Sequence, residues 1–127
     1  MTIADMVSIL HARVLRGENG LNRSVHKICC SDLMSDVLAF VNDKTVLVTG
    51  LCNQHVVRTA EMLDLKCLVF VRGKIPGDDI LDAADELGMT VLATRETAFT
   101  TCGLLYTAGL RGEEIDWPEN GGADSNA

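Results

Sequence analysis

The chain has 127 residues, of which 47% are apolar and only two are proline. A chain of this length and composition folds as one domain around its own core, without requiring a metal or a disulfide. The net charge is −7, from 11 Lys and Arg against 18 Asp and Glu, and only 4% of residues are aromatic. Neither nucleic acid nor an anionic membrane surface is therefore expected as a partner.

The compartment is predicted from the apolar runs and the cysteines. The longest apolar runs are about five residues, far short of the ~20 that a membrane helix needs. The N-terminus lacks the basic and then apolar pattern of a secretory signal, so we expect a cytoplasmic protein. The cysteines are Cys29, Cys30, Cys52, Cys67 and Cys102. Their odd number favours reduced thiols, with Cys67 and Cys102 in the core.

The first elements are predicted over residues 2–41. Apolar residues spaced i, i+3, i+4 and i+7 predict an amphipathic helix over 2–11 that is capped by Thr2. Short strands are predicted at 13–15 and 25–30, separated by a turn at 17–20. Ser31 is then predicted to cap a helix over 32–41, with Asp32 favourably placed in its first turn.

Residues 44–74 predict a complete β-α-β unit. Two nearly unbroken apolar runs, at 46–48 and 67–71, flank an amphipathic segment that Asn53 is expected to cap. Strands that are apolar on both faces are typical of a parallel sheet covered by helices. We therefore expect these two strands to lie side by side in the interior of the sheet.

The last part of the chain continues the alternation of strands and helices. Pro76 is predicted in the first turn of a helix that ends at Gly88, and residues 90–93 form the next strand. Thr94 is expected to cap a final helix that carries Cys102. This order predicts an α/β fold with parallel strands and right-handed crossovers. The domain is expected to span 1–111, followed by an acidic, disordered tail at 112–127.

Polar turns follow the two central strands, at Thr49 to Asn53 and Arg72 to Lys74. Both turns are expected at the carboxyl edge of the sheet, where open α/β folds bind ligands. The first turn matches neither the dinucleotide fingerprint nor the phosphate-binding loop, so a smaller anionic or nucleotide-like effector is predicted. For Arg72 a solvated cation is an equal alternative, and for Lys74 it is the favoured one. The candidate ligand-binding residues are Thr49, Gly50, Cys52, Asn53, Arg72, Gly73 and Thr94.

A second hypothesis is a redox or metal sensor. Cys52 and His55 have a C-x-x-H spacing at a helix start, where a thiol pKa can fall, and Cys29 with Cys30 offers further ligands. Without a second spaced motif, no metal or other cofactor is expected. A third hypothesis is a small enzyme with Asp32 or His55 as general base. Because no catalytic motif is present, we expect no enzyme activity.

The segment LRGENGLNRSVHKICCSDLMSDV, at residues 15–37, resembles the DRTGG domain family. Its most specific part is SDLMSDV at 31–37, while Asn22, Arg23 and Ser24 stand where the family has Asp, Arg and Thr. The resemblance continues through the β-α-β unit and CGLLYTAGL, and so covers residues 1–111.

The resemblance implies a three-layer α/β/α domain similar to the N-terminal domain of HPr kinase/phosphatase. Such domains also serve as regulatory modules within some phosphate acetyltransferases and CBS-domain pyrophosphatases, where they support dimerisation or regulation. The implied function is a non-catalytic regulatory or interaction module, expected as a homodimer, with a small anionic ligand or a protein as partner. The phosphate-binding loop of HPr kinase lies in a separate domain, so the resemblance does not imply kinase activity.

Overall fold

The computed structural model describes residues 1–41 and 45–117. Within these ranges the chain forms helices, strands and one 3₁₀ turn at Glu18–Gly20. The helices are α1 (Ile3–Leu10), α2 (Met34–Phe40), α3 (Gln54–Met62), α4 (Asp78–Glu86) and α5 (Ala98–Thr107). The strands are β1 (Arg13–Arg16), β2 (Lys27–Cys30), β3 (Thr45–Thr49), β4 (Cys67–Phe70) and β5 (Thr90–Ala93).

The described strands form one sheet in the order β1-β5-β4-β3-β2. The strands β2 to β5 are parallel, and β1 pairs antiparallel with β5. The mainly parallel sheet predicted from the sequence is therefore confirmed. Beyond α5 the chain returns to the outer edge of β2, where the Ile28 amide donates to the Arg111 carbonyl at 2.9 Å.

Helices cover both faces of the sheet, which confirms the three-layer α/β/α architecture. Because side chains alternate along a strand, Leu47, Leu68 and Phe70 pack with α2, α3 and α4. The neighbouring Val48 and Val69 pack on the opposite face with α1 and α5. The strand interiors are fully buried on both faces, as their unbroken apolar sequences predict.

Several predicted helix ends are confirmed. Thr2 caps α1 in a capping box with Asp5, whose carboxylate accepts from the Thr2 amide at 2.9 Å. Asn53 caps α3 through a bond from the His55 amide at 3.0 Å. Gly88 has a φ of 76° just after α4, as expected for a helix-terminating glycine.

Other predicted helix ends are wrong. Helix α2 begins at Met34, and Leu33, which has an extended backbone, occupies the N-cap position. Ser31 does not cap the helix, because its Oγ accepts from the Leu33 amide in a local turn. Likewise α4 begins at Asp78, beyond Pro76.

Thr94 does not cap α5. Its Oγ1 donates to the Leu10 carbonyl at 2.9 Å, and Thr97 caps the helix instead.

The predicted tail is described only as far as residue 117. Residues 112–117 have no helix or strand, but Glu113 approaches the sheet, with its carboxylate 2.9 Å from Lys27 Nζ. Its other oxygen accepts from Thr45 Oγ1 at 3.2 Å. Residues 118–127 lie outside the described part, so the disordered tail stays a prediction.

Candidate functional site

The ends of the three central strands meet at the carboxyl edge of the sheet, which we define as Thr49–Asn53, Arg72–Lys74 and Thr94. Backbone hydrogen bonds join these segments. The Val71 amide donates to the Thr49 carbonyl at 3.2 Å, and the Gly73 amide donates to the Thr94 carbonyl at 2.8 Å. The two polar turns that the sequence places at one edge are therefore adjacent in space.

Asp32 anchors the turn between β3 and α3. Its Oδ1 accepts from Thr49 Oγ1 at 2.7 Å and from the Gly50 amide at 2.9 Å. The Thr49 hydroxyl accepts in turn from the Leu51 amide at 3.1 Å. Asp32 follows β2, so these bonds tie the ends of two neighbouring strands together. The Gly50 and Thr49 bonds, with smaller effects of Arg72 and Lys74, lower the pKa of Asp32.

The sequence alone did not assign this role to Asp32. The predicted position in the first turn of a helix gave it a favourable but generic electrostatic environment. A usable signal is the polar pair Ser31-Asp32 immediately after a buried strand, since residues at parallel strand ends converge on one edge.

Arg72 lies over Gly50 and belongs to an unusual turn. Arg72 and Gly73 have φ values of 62° and 70°, and the Lys74 amide donates to the Val71 carbonyl at 3.3 Å. Positive φ at both central residues defines a tight turn of type I′. A Cβ atom on Gly50 would lie 2.8 Å from Arg72 Nη2, so the guanidinium would have to move if another residue stood at this position.

The edge presents donors that other protein groups do not use. Within residues 1–41 and 45–117, the side chain of the exposed Arg72 makes no hydrogen bond and no ion pair. In the same ranges, the backbone amides of Cys52 and Asn53 at the start of α3 have no partner. The two free amides and the guanidinium lie on the same edge of the sheet, and donors of these kinds bind small anions.

Two candidate residues contribute to the edge through the backbone alone. Thr94 is 2% exposed and its hydroxyl donates to Leu10, away from solvent. Gly73 is exposed and has no atom within 4 Å of an added Cβ. The geometry thus brings together Thr49, Gly50, Cys52, Asn53 and Arg72, whereas Thr94 and Gly73 shape the turn behind them.

Cys52 and Cys29 do not have the lowered thiol pKa that the sensor hypothesis requires. Burial raises the pKa of Cys52, although Lys74 and Arg72 act in the opposite direction. Burial also raises the pKa of Cys29. Among the residues described, no group of three or more His, Cys, Asp or Glu side chains is placed to hold a metal ion. The structure gives the hypothesis of a sensor at Cys52 and His55 no support.

The architecture defines the class of protein, a small three-layer α/β domain with a polar carboxyl edge. The DRTGG domain family matches residues 5–108, and the chain belongs to that family. In the described ranges, no helix is both long and apolar enough to cross a membrane.

Two relatives place the domain in larger proteins. The chain is 27% identical over 111 residues to the uncharacterized protein YtoI of Bacillus subtilis, covering 85% of this chain and 24% of YtoI. It is similar in structure, with a TM-score of 0.69, to the CBS and DRTGG domains of the regulatory region of Clostridium perfringens pyrophosphatase. That structure contains the activator diadenosine tetraphosphate, and its sequence is 18% identical.

The match covers 82% of this chain and 45% of the pyrophosphatase chain. The chain therefore spans about a quarter of the curated relative and less than half of the solved structure. The similarity establishes the fold of this domain.

Proposed function

We propose that this chain is a non-catalytic cytoplasmic regulatory module that binds a small anionic, nucleotide-like effector at the carboxyl edge. The observation that carries the proposal is the Arg72 guanidinium, which lies over Gly50 without a hydrogen-bond or ion-pair partner within the described residues. Membership of the DRTGG family supports a regulatory role, because such a domain forms part of the regulatory region of the clostridial pyrophosphatase.

The chemistry of the edge favours one phosphate or carboxylate group. The free amides of Cys52 and Asn53 offer two hydrogen bonds, and Arg72 offers a planar pair of donors. Asp32 lies close enough for Arg72 and Lys74 to lower its pKa. Its carboxylate therefore offsets part of their positive charge, which disfavours a long polyphosphate lying across the edge. The base or acyl part of the effector would extend towards solvent.

Arg72→Ala is expected to weaken effector binding about tenfold or more, because hydrogen bonds to a charged group contribute about 1.5–3 kcal/mol. The measurement is a thermal-shift screen of adenine nucleotides, diadenosine tetraphosphate and acetyl phosphate, followed by calorimetry on each compound that raises Tm. Arg58→Ala is the matched control, since Arg58 is an exposed arginine on the outer face of α3. If no compound raises Tm, or both variants bind alike, the proposed site is wrong.

We further propose that the module is a homodimer that associates through α5. This helix carries an exposed stripe at positions i, i+4 and i+7, formed by Phe99 (86% exposed), Gly103 and Tyr106 (58% exposed). An apolar helix face of this kind is typical of a surface that is covered in an assembly. A Cβ on Gly103 would meet nothing within 4 Å, so a partner helix has room to approach.

Phe99→Glu is expected to convert the dimer to a monomer, because it places a charge within the apolar contact. Size-exclusion chromatography with light scattering measures the mass directly. Met62→Glu is the control, since Met62 is 73% exposed on α3 and lies outside the stripe. A wild-type chain that stays monomeric at high concentration would contradict the dimer, while equal effects of both variants would contradict the α5 interface.

A further inference from the structure

Two cysteines that are distant in sequence line one cavity on the α5 side of the sheet. Cys30 is the last residue of β2, and Cys102 lies in the middle of α5. Both border a cavity of about 130 Å³ whose other walls include Ile28, Leu105 and Tyr106. Both thiols are free.

The alternation of side chains along β2 explains why Cys30, and not Cys29, faces α5. Ile28 packs in the cluster with α1 and α5, whereas Cys29 packs in the opposite cluster with α2 and α3. Cys30, two residues after Ile28, faces the same side as Ile28. On α5, Cys102 lies next to the buried Thr101 and outside the exposed stripe of Phe99, Gly103 and Tyr106.

The two thiols line the same cavity, and the Cys102 thiol influences the acidity of Cys30. Burial against α5, together with the Cys102 thiol, raises the pKa of Cys30 to about 12. Part of Cys30 nevertheless remains accessible to solvent, so that the whole residue counts as exposed, and Cys102 is half-buried. A small reagent can therefore reach Cys30, and Cys102, which would resolve the reaction, lines the same cavity. Because the pKa of Cys30 is high, its thiolate forms mainly at alkaline pH, and the reaction is fastest there.

We propose that Cys30 and Cys102 form an oxidative modification site that closes to an intrachain disulfide. A low-molecular-weight disulfide is the oxidant. The Cys30 thiolate attacks one of its sulfur atoms, forming a mixed disulfide and releasing one small thiol. Cys102 then attacks the Cys30 sulfur and releases the second small thiol. Both protein protons pass to the released thiolates, and the two electrons reduce the small disulfide.

The competing vicinal disulfide between Cys29 and Cys30 is disfavoured by the strand. Adjacent residues in an extended strand direct their side chains to opposite faces of the sheet, and a disulfide requires Cβ atoms about 3.5–4.5 Å apart in a restricted geometry. Cys67 is 2% exposed in the interior, and Cys52 lies in the turn between β3 and α3. The geometry thus selects one pair among the five cysteines.

The test is to incubate the reduced full chain with oxidised glutathione, alkylate the remaining thiols and map disulfides by mass spectrometry without reduction. A peptide linked through Cys30 and Cys102 is expected, with Cys29, Cys52 and Cys67 alkylated. The oxidised chain should show a Tm higher by about 5 °C or more, because the bond closes a long loop. These readouts do not depend on any effector, so they fail or succeed separately from the proposed effector site.

Matched variants isolate each step. Cys102→Ser is expected to stop at the glutathione adduct on Cys30, while Cys30→Ser should form neither adduct nor cross-link in this region. Cys29→Ser should form the same cross-link as the unmodified chain. A wild-type protein that accumulates only the glutathione adduct, pairs Cys30 with Cys29 or leaves both thiols unreacted would overturn the proposal.

Discussion

Gly17→Ala is expected to lower the free energy of unfolding by about 2–4 kcal/mol, from left-handed backbone strain and an overpacked contact. Gly17 has a φ of 77°, and an added Cβ would lie 2.4 Å from the Met89 carbonyl oxygen and 2.7 Å from Thr90 Cα. These are backbone atoms at the start of β5, so a rotamer change cannot relieve the contact. Thr90 Oγ1 also donates to the Gly17 carbonyl at 2.8 Å, which holds the two segments together.

Gly88→Ala separates the two causes. Gly88 has a φ of 76°, almost the same as Gly17, but an added Cβ meets no atom within 4 Å. This variant should lose only the backbone strain, about 1–2 kcal/mol. Urea unfolding of both variants and the wild type measures the difference. Equal losses at the two positions would show that the contact with Met89 and Thr90 relaxes without cost.

The sheet interior could be predicted because its signal is local. The apolar runs of β3 and β4, with the amphipathic α3 between them, require burial on both faces, and parallel pairing follows from the crossover. The same argument places Thr49 to Asn53 beside Arg72 to Lys74. Asn53 as a cap was also predictable, because an asparagine before an amphipathic run is a strong helix start.

The contacts that shape the site depend on residues distant in sequence. The Asp32 carboxylate accepts hydrogen bonds from Thr49 and Gly50, which are 17 and 18 residues away. Asp32 therefore lies before α2, and not in the first helical turn that its sequence neighbours predicted. Thr94 looks like a helix cap locally, but its hydroxyl donates to Leu10, 84 residues earlier. Sequence periodicity carries no information about such pairings, because they depend on which strand ends become neighbours.

The positive φ of Arg72 has a similar origin. Arginine seldom adopts this conformation, so the predicted polar turn at Arg72 to Lys74 did not indicate where the Arg72 side chain would lie. The carbonyl of Glu96 accepts from the Arg72 amide at 2.8 Å and helps to fix the turn. The close approach of Arg72 to Gly50 is thus a tertiary effect, and the hypothesis of a solvated cation could not be tested by sequence alone.

Asp32→Ala is expected to lower the free energy of unfolding by about 1–3 kcal/mol, because it leaves buried donors without an acceptor. Thr49 is 1% exposed, and both its hydroxyl and the Gly50 amide donate to Asp32 Oδ1. Asp36→Ala is the control, since Asp36 is an exposed carboxylate on α2 and its side chain makes no hydrogen bond within the described residues. Comparable losses in the two variants would contradict the anchoring role of Asp32.

The pH dependence of the stability is a second, independent test of the role of the Asp32 carboxylate. The folded-state pKa of Asp32 lies below its ordinary value of 3.8, so the carboxylate contributes stability above that pH. The contribution is lost as the pH falls from the ordinary pKa to the lower folded pKa, because over that interval the unfolded state binds more protons at this group than the folded state does. The difference in Tm between wild type and Asp32→Asn should therefore be largest near neutral pH and shrink below pH ~4. A difference that is constant down to strong acid would mean that the charge of Asp32 does not stabilise the turn between β3 and α3.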